Sequence, residues 1–167
     1  DSRKINSNQL FFSLKGPNFD ANTFAHQAIK KGALAAIVDN KAVAEANPNC
    51  YLVDDVLETL QGLAQLHRSQ FDIPLIALTG SNGKTTTKEL IREVISKKYN
   101  VLATEGNYNN HIGVPLTLLK LKKKHEIAVI EMGANHLKEI EFLCNITLPD
   151  WGYITNFGKA HLEGFGS

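Results

Sequence analysis

The stretch PLIALTGSNGKTTTKEL, Pro74 to Leu90, decides how this chain is read. An apolar run ends in Gly80-Ser81-Asn82-Gly83, and a lysine and three threonines follow. LIALT has the composition of a buried strand. Lys84 to Lys98 reads as a helix with Leu90, Ile91, Val94 and Ile95 as its apolar positions. A glycine turn between a strand and a helix start suits a phosphate, because glycines let N–H groups approach closely and the helix terminus adds partial positive charge. The longer phosphate-loop pattern is G-x-x-x-x-G-K-[ST]. Gly83-Lys84-Thr85 fits its end, but its first glycine would fall at Leu78, so this loop is shorter. The plainer reading is a tight turn with a surface lysine, and a bare turn has no need of this glycine, lysine and threonine spacing.

Outward from the loop, strands alternate with helices. VLAT, EIAVIEMG and WGYITN read as strands, and VPLTLLKL and NHLKEIEFLCN as helices. Continuous apolar strands separated by helices imply a parallel sheet covered on both faces. Toward the N-terminus the rhythm differs. LFFSL, LAAIV and YLV read as short strands, and ANTFAHQAIKKG as a helix with Asn22 as N-cap and Gly32 at its end. DDVLETLQGLAQLHRSQ reads as a helix opened by an Asp55/Glu58 capping box, with Val56, Leu60, Leu63 and Ala64 on one face. The expected boundary lies near Asp72, giving a small α/β domain over 1–71 and a mostly parallel-sheet phosphate-loop domain over 72–167.

Ligands of a parallel α/β sheet gather at the carboxyl ends of its strands. Lys84 can reach β- and γ-phosphates there, and Thr85 can offer a hydroxyl to Mg²⁺. Glu131 ends another apolar strand, either as a second metal anchor or as a strand-end residue turned to solvent. Asn156 and His161 follow a third strand. Asn107, Asn109, Asn110 and Gly113 cluster after a fourth, either as amide contacts for a polar substrate or as an Asx-rich loop capping the helix near Pro115.

The 167 residues carry a formal net charge of +1. That length suits one large domain or two small ones, and the balance excludes a dedicated nucleic-acid surface. No apolar stretch is long enough to insert in a membrane. Cys50 and Cys144 stand alone, which fits a reducing cytoplasm, and neither has a neighbour that would make it a nucleophile. The basic run Lys120 to His125 reads as a solvated link or, less simply, a docking patch.

Together these segments resemble the Mur ligase family, and within it the type that adds D-alanyl-D-alanine. The shortened TGSNGKTT is similar to that family's T-G-[ST]-x-G-K-[ST] loop, which dispenses with the first glycine. DSRKINSNQLFFSLKG resembles its N-terminal domain, and GNYNNHIGVPLTLL, AVIEMGAN and TNFGKAHLEGFGS resemble the D-alanyl-D-alanine-adding type. The resemblance implies ATP and Mg²⁺ as cofactors. Gly80, Ser81, Asn82, Gly83, Lys84, Thr85 and Thr86 would hold the ATP phosphates. Thr85 and Glu131 would hold one metal and His161 a second, with Lys84, Glu131 and His161 carrying catalysis. Ser2 and Arg3 would face the UDP end of a UDP-N-acetylmuramoyl tripeptide, and Asn107 and Asn110 its muramoyl peptide. The implied reaction passes through an acyl phosphate in peptidoglycan precursor synthesis, in a cytoplasmic monomer. The family's C-terminal domain is expected to be absent, leaving this chain alone inactive. Two departures stand out: Asp20-Ala21-Asn22 where the family has Asp-Gly-His, and Lys138-Glu139-Ile140 where it has Gly-Glu-Ile. The competing readings are another ligase on this scaffold, such as a folylpolyglutamate synthase, and a nucleotide switch, which would need an Asn-Lys-x-Asp that does not occur.

Overall fold

The computed structural model describes residues 2, 3 and 5–158, so His161 lies outside the described residues. The chain divides into two compact units, Asp1–Leu60 and Gln61–Ser167.

In the first unit, β1 (Leu10–Phe12) is followed by a small antiparallel pair, β2 (Lys15–Gly16) and β3 (Phe19–Asp20). A 3-10 turn (Ala21–Phe24) leads into α1 (Ala25–Lys30), then β4 (Ala35–Val38), α2 (Lys41–Glu45) and β5 (Cys50–Leu52). β1, β4 and β5 form a parallel sheet in that order. Its core is built from small side chains, with Ala25, Ala28 and Ala36 packed around Phe11 and Val38. Asn22 is not the cap expected of it. Asp20 caps the 3-10 turn instead, its carboxylate taking the Asn22 N–H at 2.9 Å, while the buried Asn22 amide bridges Asp20 and Asp39 at 2.8 and 2.7 Å.

The helix α3 (Val56–Ser69) starts as expected, with the Asp55 carboxylate accepting the Glu58 N–H at 2.8 Å. Val56, Leu60 and Ala64 are buried, whereas Leu63 is exposed. The division between units falls inside α3, ahead of the boundary expected at 71/72. The reason is visible in the last two turns of the helix. Ala64 joins the core of the second unit, and the buried Arg68 guanidinium donates to the carbonyls of Thr147, Phe71, Ile73 and Leu148.

The second unit continues with β6 (Leu75–Thr79), α4 (Lys84–Ile95), β7 (Val101–Ala103), α5 (Gly113–Leu118), β8 (Ile127–Glu131), α6 (Glu139–Thr147) and β9 (Trp151–Ile154). All four strands are parallel, in the order β7-β8-β6-β9. The α/β class expected from sequence is the one observed. β8 is buried almost throughout, so both its faces are covered, but β9 is exposed along its length among the described residues. The register sets Leu78 of β6 beside Glu131 of β8, which puts the start of the glycine loop next to that carboxylate.

Helix α4 does not present the stripe expected of it. Leu90 and Val94 are 63% and 72% exposed, while Lys88 is fully buried. At 100° per residue the covered face is Lys84, Lys88, Ile91 and Ile95, so the inward stripe begins with two lysines. The helix also stops at Ile95 rather than Lys98. Helix α6 starts at Glu139, later than the sequence suggested. The Glu139 carboxylate gathers the N–H groups of Asn135 and His136 at 2.6 and 3.1 Å, and Lys138 sits at φ 67° between that turn and the helix.

Candidate functional site: a phosphate loop facing a buried carboxylate

The loop after β6 turns on two glycines with positive φ, 134° at Gly80 and 78° at Gly83. Gly83 is the N-cap of α4 and has no side chain to cap with. Thr87 N–H donates to Gly83 O, and among the described residues no acceptor meets the N–H groups of Lys84, Thr85 and Thr86. Three donors and the positive end of a twelve-residue helix therefore face outward at one point. Thr85 and Thr86 are exposed beside them. The Lys84 ammonium folds back onto Gly80 O at 2.6 Å.

The segment after β9 supports the rest of the loop. Ser81 and Asn82 donate their N–H groups to Asn156, at 3.3 Å to its carbonyl and 3.1 Å to its side chain. Thr155 Oγ1 donates to Asn82 O at 2.6 Å, and the Ser81 hydroxyl meets Gly158 O at 3.0 Å and Gly158 N at 2.9 Å. Of the expected phosphate donors, those of Ser81 and Asn82 are thus engaged inside the protein, and those at the helix start are free to meet a ligand.

Glu131 ends β8 and is 2% exposed. Its N–H donates to the Thr104 hydroxyl at 2.9 Å. Asn109 Nδ2 donates to Oε1 at 2.8 Å, and Oε2 is buried with no hydrogen-bond partner among the described residues. A buried carboxylate oxygen left without a donor suits a hard cation. Among the described residues no three His, Cys, Asp or Glu side chains gather into a ready-made metal site. The Glu131 Oε2 oxygen and the exposed Thr85 hydroxyl are donors of the type that a Mg²⁺ takes.

A cavity of about 370 Å³ opens beside these groups, lined by Lys84, Asn107, Asn109, Asn110, Gly133 and Glu139 among others. The structure thus brings Lys84, Asn107 and Asn110 to one cavity and ties it to Glu131 through Asn109. Asn110 also does the plainer job weighed for it: its Oδ1 accepts the N–H groups of Ile112 and Gly113 at 3.1 and 2.8 Å at the start of α5. Ser2 and Arg3 belong to the first unit, where Ser2 O accepts the Lys31 ammonium at 2.9 Å. Burial pushes the thiols of Cys50 and Cys144 above their ordinary value, so neither is an activated nucleophile. Thr104 and Lys88 had no role expected from the sequence, and Asn109, expected in a substrate-facing or capping loop, proves to be the partner of Glu131. The spacing of Lys88, one turn after Lys84, was the available signal.

The Mur ligase middle domain matches residues 78–167. The UDP-N-acetylmuramoyl-tripeptide--D-alanyl-D-alanine ligase of Bacillus subtilis (strain 168) is 44% identical over 169 residues, covering all of this chain and 37% of the relative. A crystal structure of MurF from Acinetobacter baumannii superposes with a TM-score of 0.93 at 43% identity, over 100% of this chain and 37% of that one. The MurF ligase of Thermotoga maritima, solved in complex with ADP, gives a TM-score of 0.87 at 36% identity, over 97% of this chain and 38% of that one. The chain spans a little over a third of the length of the relatives it matches.

Proposed function

The chain belongs to the Mur ligase family, and we propose that it forms the UDP-recognising and ATP-phosphate-holding parts of a D-alanyl-D-alanine-adding ligase. Mur ligases use ATP, and one structural relative was solved with ADP. The observation that carries the reading is the pairing across β6 and β8. Among the described residues, an uncapped helix start with three outward N–H groups follows β6, and a buried carboxylate with an unpartnered oxygen ends β8.

In the proposed reaction a carboxylate oxygen of UDP-N-acetylmuramoyl tripeptide attacks the γ-phosphorus of ATP. The bond to the β-phosphate bridging oxygen breaks, and ADP leaves. The amine of D-alanyl-D-alanine then attacks the acyl carbon, gives up a proton, and phosphate departs with the acyl oxygen's bonding pair. Both steps crowd anions together, so positive groups must be in place beforehand. The N–H groups of Lys84, Thr85 and Thr86 are aimed from a rigid helix. Lys84 would exchange Gly80 O for a phosphate oxygen, and Glu131 and Thr85 would hold a Mg²⁺, which would supply positive charge against the phosphates. Asn107 and Asn110 meet the peptide at the cavity wall. The N-terminal unit would take the UDP end through Ser2 and Arg3, and His161 would serve a second metal. The reading also places the protein in the cytoplasm, as a monomer; no helix among the described residues is long and apolar enough to cross a membrane.

The test is ADP release by the whole protein with UDP-muramoyl tripeptide, with and without D-alanyl-D-alanine. Sustained release only with all three substrates is expected, and Lys84→Ala should suppress it. Turnover indifferent to the dipeptide would overturn the reading.

A further inference from the structure

Lys88 is the largest fully buried side chain among the described residues, and the proposed chemistry leaves it without a task. A buried ammonium is costly unless it is paired and hydrogen-bonded. Here it is both: Nζ donates to Thr104 O at 2.6 Å and pairs with Glu89 Oε1 at 2.7 Å. The pairing lowers the Glu89 carboxyl below its ordinary value, with the hydrogen bond from Lys88 as the leading cause. A methionine or leucine would fill the same space on a helix packed against β7 and β8. What an apolar side chain could not do is grip the Thr104 carbonyl.

Thr104 follows β7 and is itself buried. Its carbonyl takes Lys88, and its hydroxyl takes the Glu131 N–H. One residue therefore joins α4, whose first turn carries Lys84 and Thr85, to the end of β8, which carries Glu131. We propose that Lys88 is a positioning residue that fixes Glu131 relative to the phosphate-facing end of α4 through Thr104. Lys84 meets the ligand from the first turn, and Lys88, one turn later on the same face, locks the helix to the carboxylate that faces that ligand. The inference rests on the reading of Glu131 as a metal-holding residue.

The test uses the whole protein with Lys88→Met, Thr104→Val and the double variant. Two quantities are measured: amide hydrogen exchange at Glu131 without metal or nucleotide, and the Mg²⁺ concentration that half-saturates ATP binding. Lys88→Met is expected to speed exchange at Glu131 while leaving Ala77 of β6 unchanged, and to raise the half-saturating Mg²⁺ by about ten-fold or more, the usual effect of losing an outer support of a metal ligand. Thr104→Val should move both in the same direction, and the double variant should add little to either single change. An unchanged Mg²⁺ requirement in a folded Lys88→Met protein overturns the proposal, even if exchange changes. If Lys88→Met fails to fold, Thr104→Val decides by the same criterion. A wild-type protein that binds no ATP would sink the ligase reading instead, and Glu131 exchange would still show whether Lys88 holds that residue.

Discussion

Asn109 holds Glu131 by one oxygen only: Nδ2 donates to Oε1 at 2.8 Å, while Oε2 is buried without a partner among the described residues. The backbone secures the donor in turn, because Gly133 N–H donates to Asn109 O at 2.7 Å. A β-carbon at Gly133 would come within 3.1 Å of the Asn109 side chain, so that glycine keeps the space the amide occupies.

Glu131→Gln and Asn109→Ala should therefore differ in kind. The first keeps the shape but removes the charge that attracts a hard cation, and the Mg²⁺ requirement for ATP binding should rise steeply. The second keeps the charge and loses its alignment, with an expected increase of roughly ten- to a hundred-fold in half-saturating Mg²⁺. Calorimetric titration of nucleotide at several Mg²⁺ concentrations measures both. A Glu131→Gln protein with wild-type Mg²⁺ dependence would remove Glu131 from the site.

The two loop glycines should not be equally replaceable. A β-carbon at Gly80 would collide with Thr155 Oγ1 and come within 3.0 Å of Asn156 N, whereas none of the described residues lies within 4 Å at Gly83. Both have positive φ, which costs an L-residue about 1–2 kcal/mol. Gly83→Ala should lose about that much and remain folded. Gly80→Ala should lose more, because the segment after β9 must move as well. Urea unfolding of the two variants gives the comparison, and equal losses would contradict it.

Lys138 offers a stabilising change. It holds φ 67° immediately before α6, at the position where resemblance to the family suggests glycine. Lys138→Gly should relieve left-handed strain, with a gain of up to about 1 kcal/mol after the greater freedom of glycine in the unfolded chain is subtracted. A rise in the thermal midpoint with unchanged nucleotide affinity is the expected result.

The turn before α6 should respond to acid. Two backbone N–H groups favour the charged Glu139 carboxyl, chiefly that of Asn135, and hold it below its ordinary value against the opposing effect of burial. A carboxyl depressed by folding contributes stability above its unfolded pKa, and that contribution is lost as pH falls through the lower folded value. Wild type should therefore exceed Glu139→Gln in stability near neutrality, and the gap should close in strong acid. Denaturant unfolding across that range measures it, and a gap independent of pH would show that the carboxyl charge plays no part.

The strands and the glycine loop could be read from sequence because unbroken apolar runs and glycine spacing leave few alternatives. The inward face of α4 could not. Leu90 and Val94 looked like core residues by composition, but the helix phase is set by Lys84 and Lys88, which reach the carbonyls of Gly80 and Thr104 outside the helix. The asparagines posed a different difficulty. Asn107, Asn109 and Asn110 are chemically alike, and only the path of the turn makes Asn110 the acceptor for the Gly113 N–H at the start of α5 and Asn109 the partner of Glu131. The division between units was displaced from the expected one because a continuous helical pattern gives no sign that contacts change allegiance within α3.

The hydrogen bonds that join Ser81 and Asn82 to Thr155, Asn156 and Gly158 have a consequence for portability. A longer phosphate loop can wrap its ligand with its own backbone, whereas this shorter one borrows a wall from the strand beside it. Grafting Gly80 to Thr86 onto a foreign strand–helix junction would therefore transplant the donors without the brace that shapes them. The smallest transferable unit is a pair of neighbouring parallel strands with both of their C-terminal turns, and protein engineers seeking a compact nucleotide-binding cassette would have to move that pair whole.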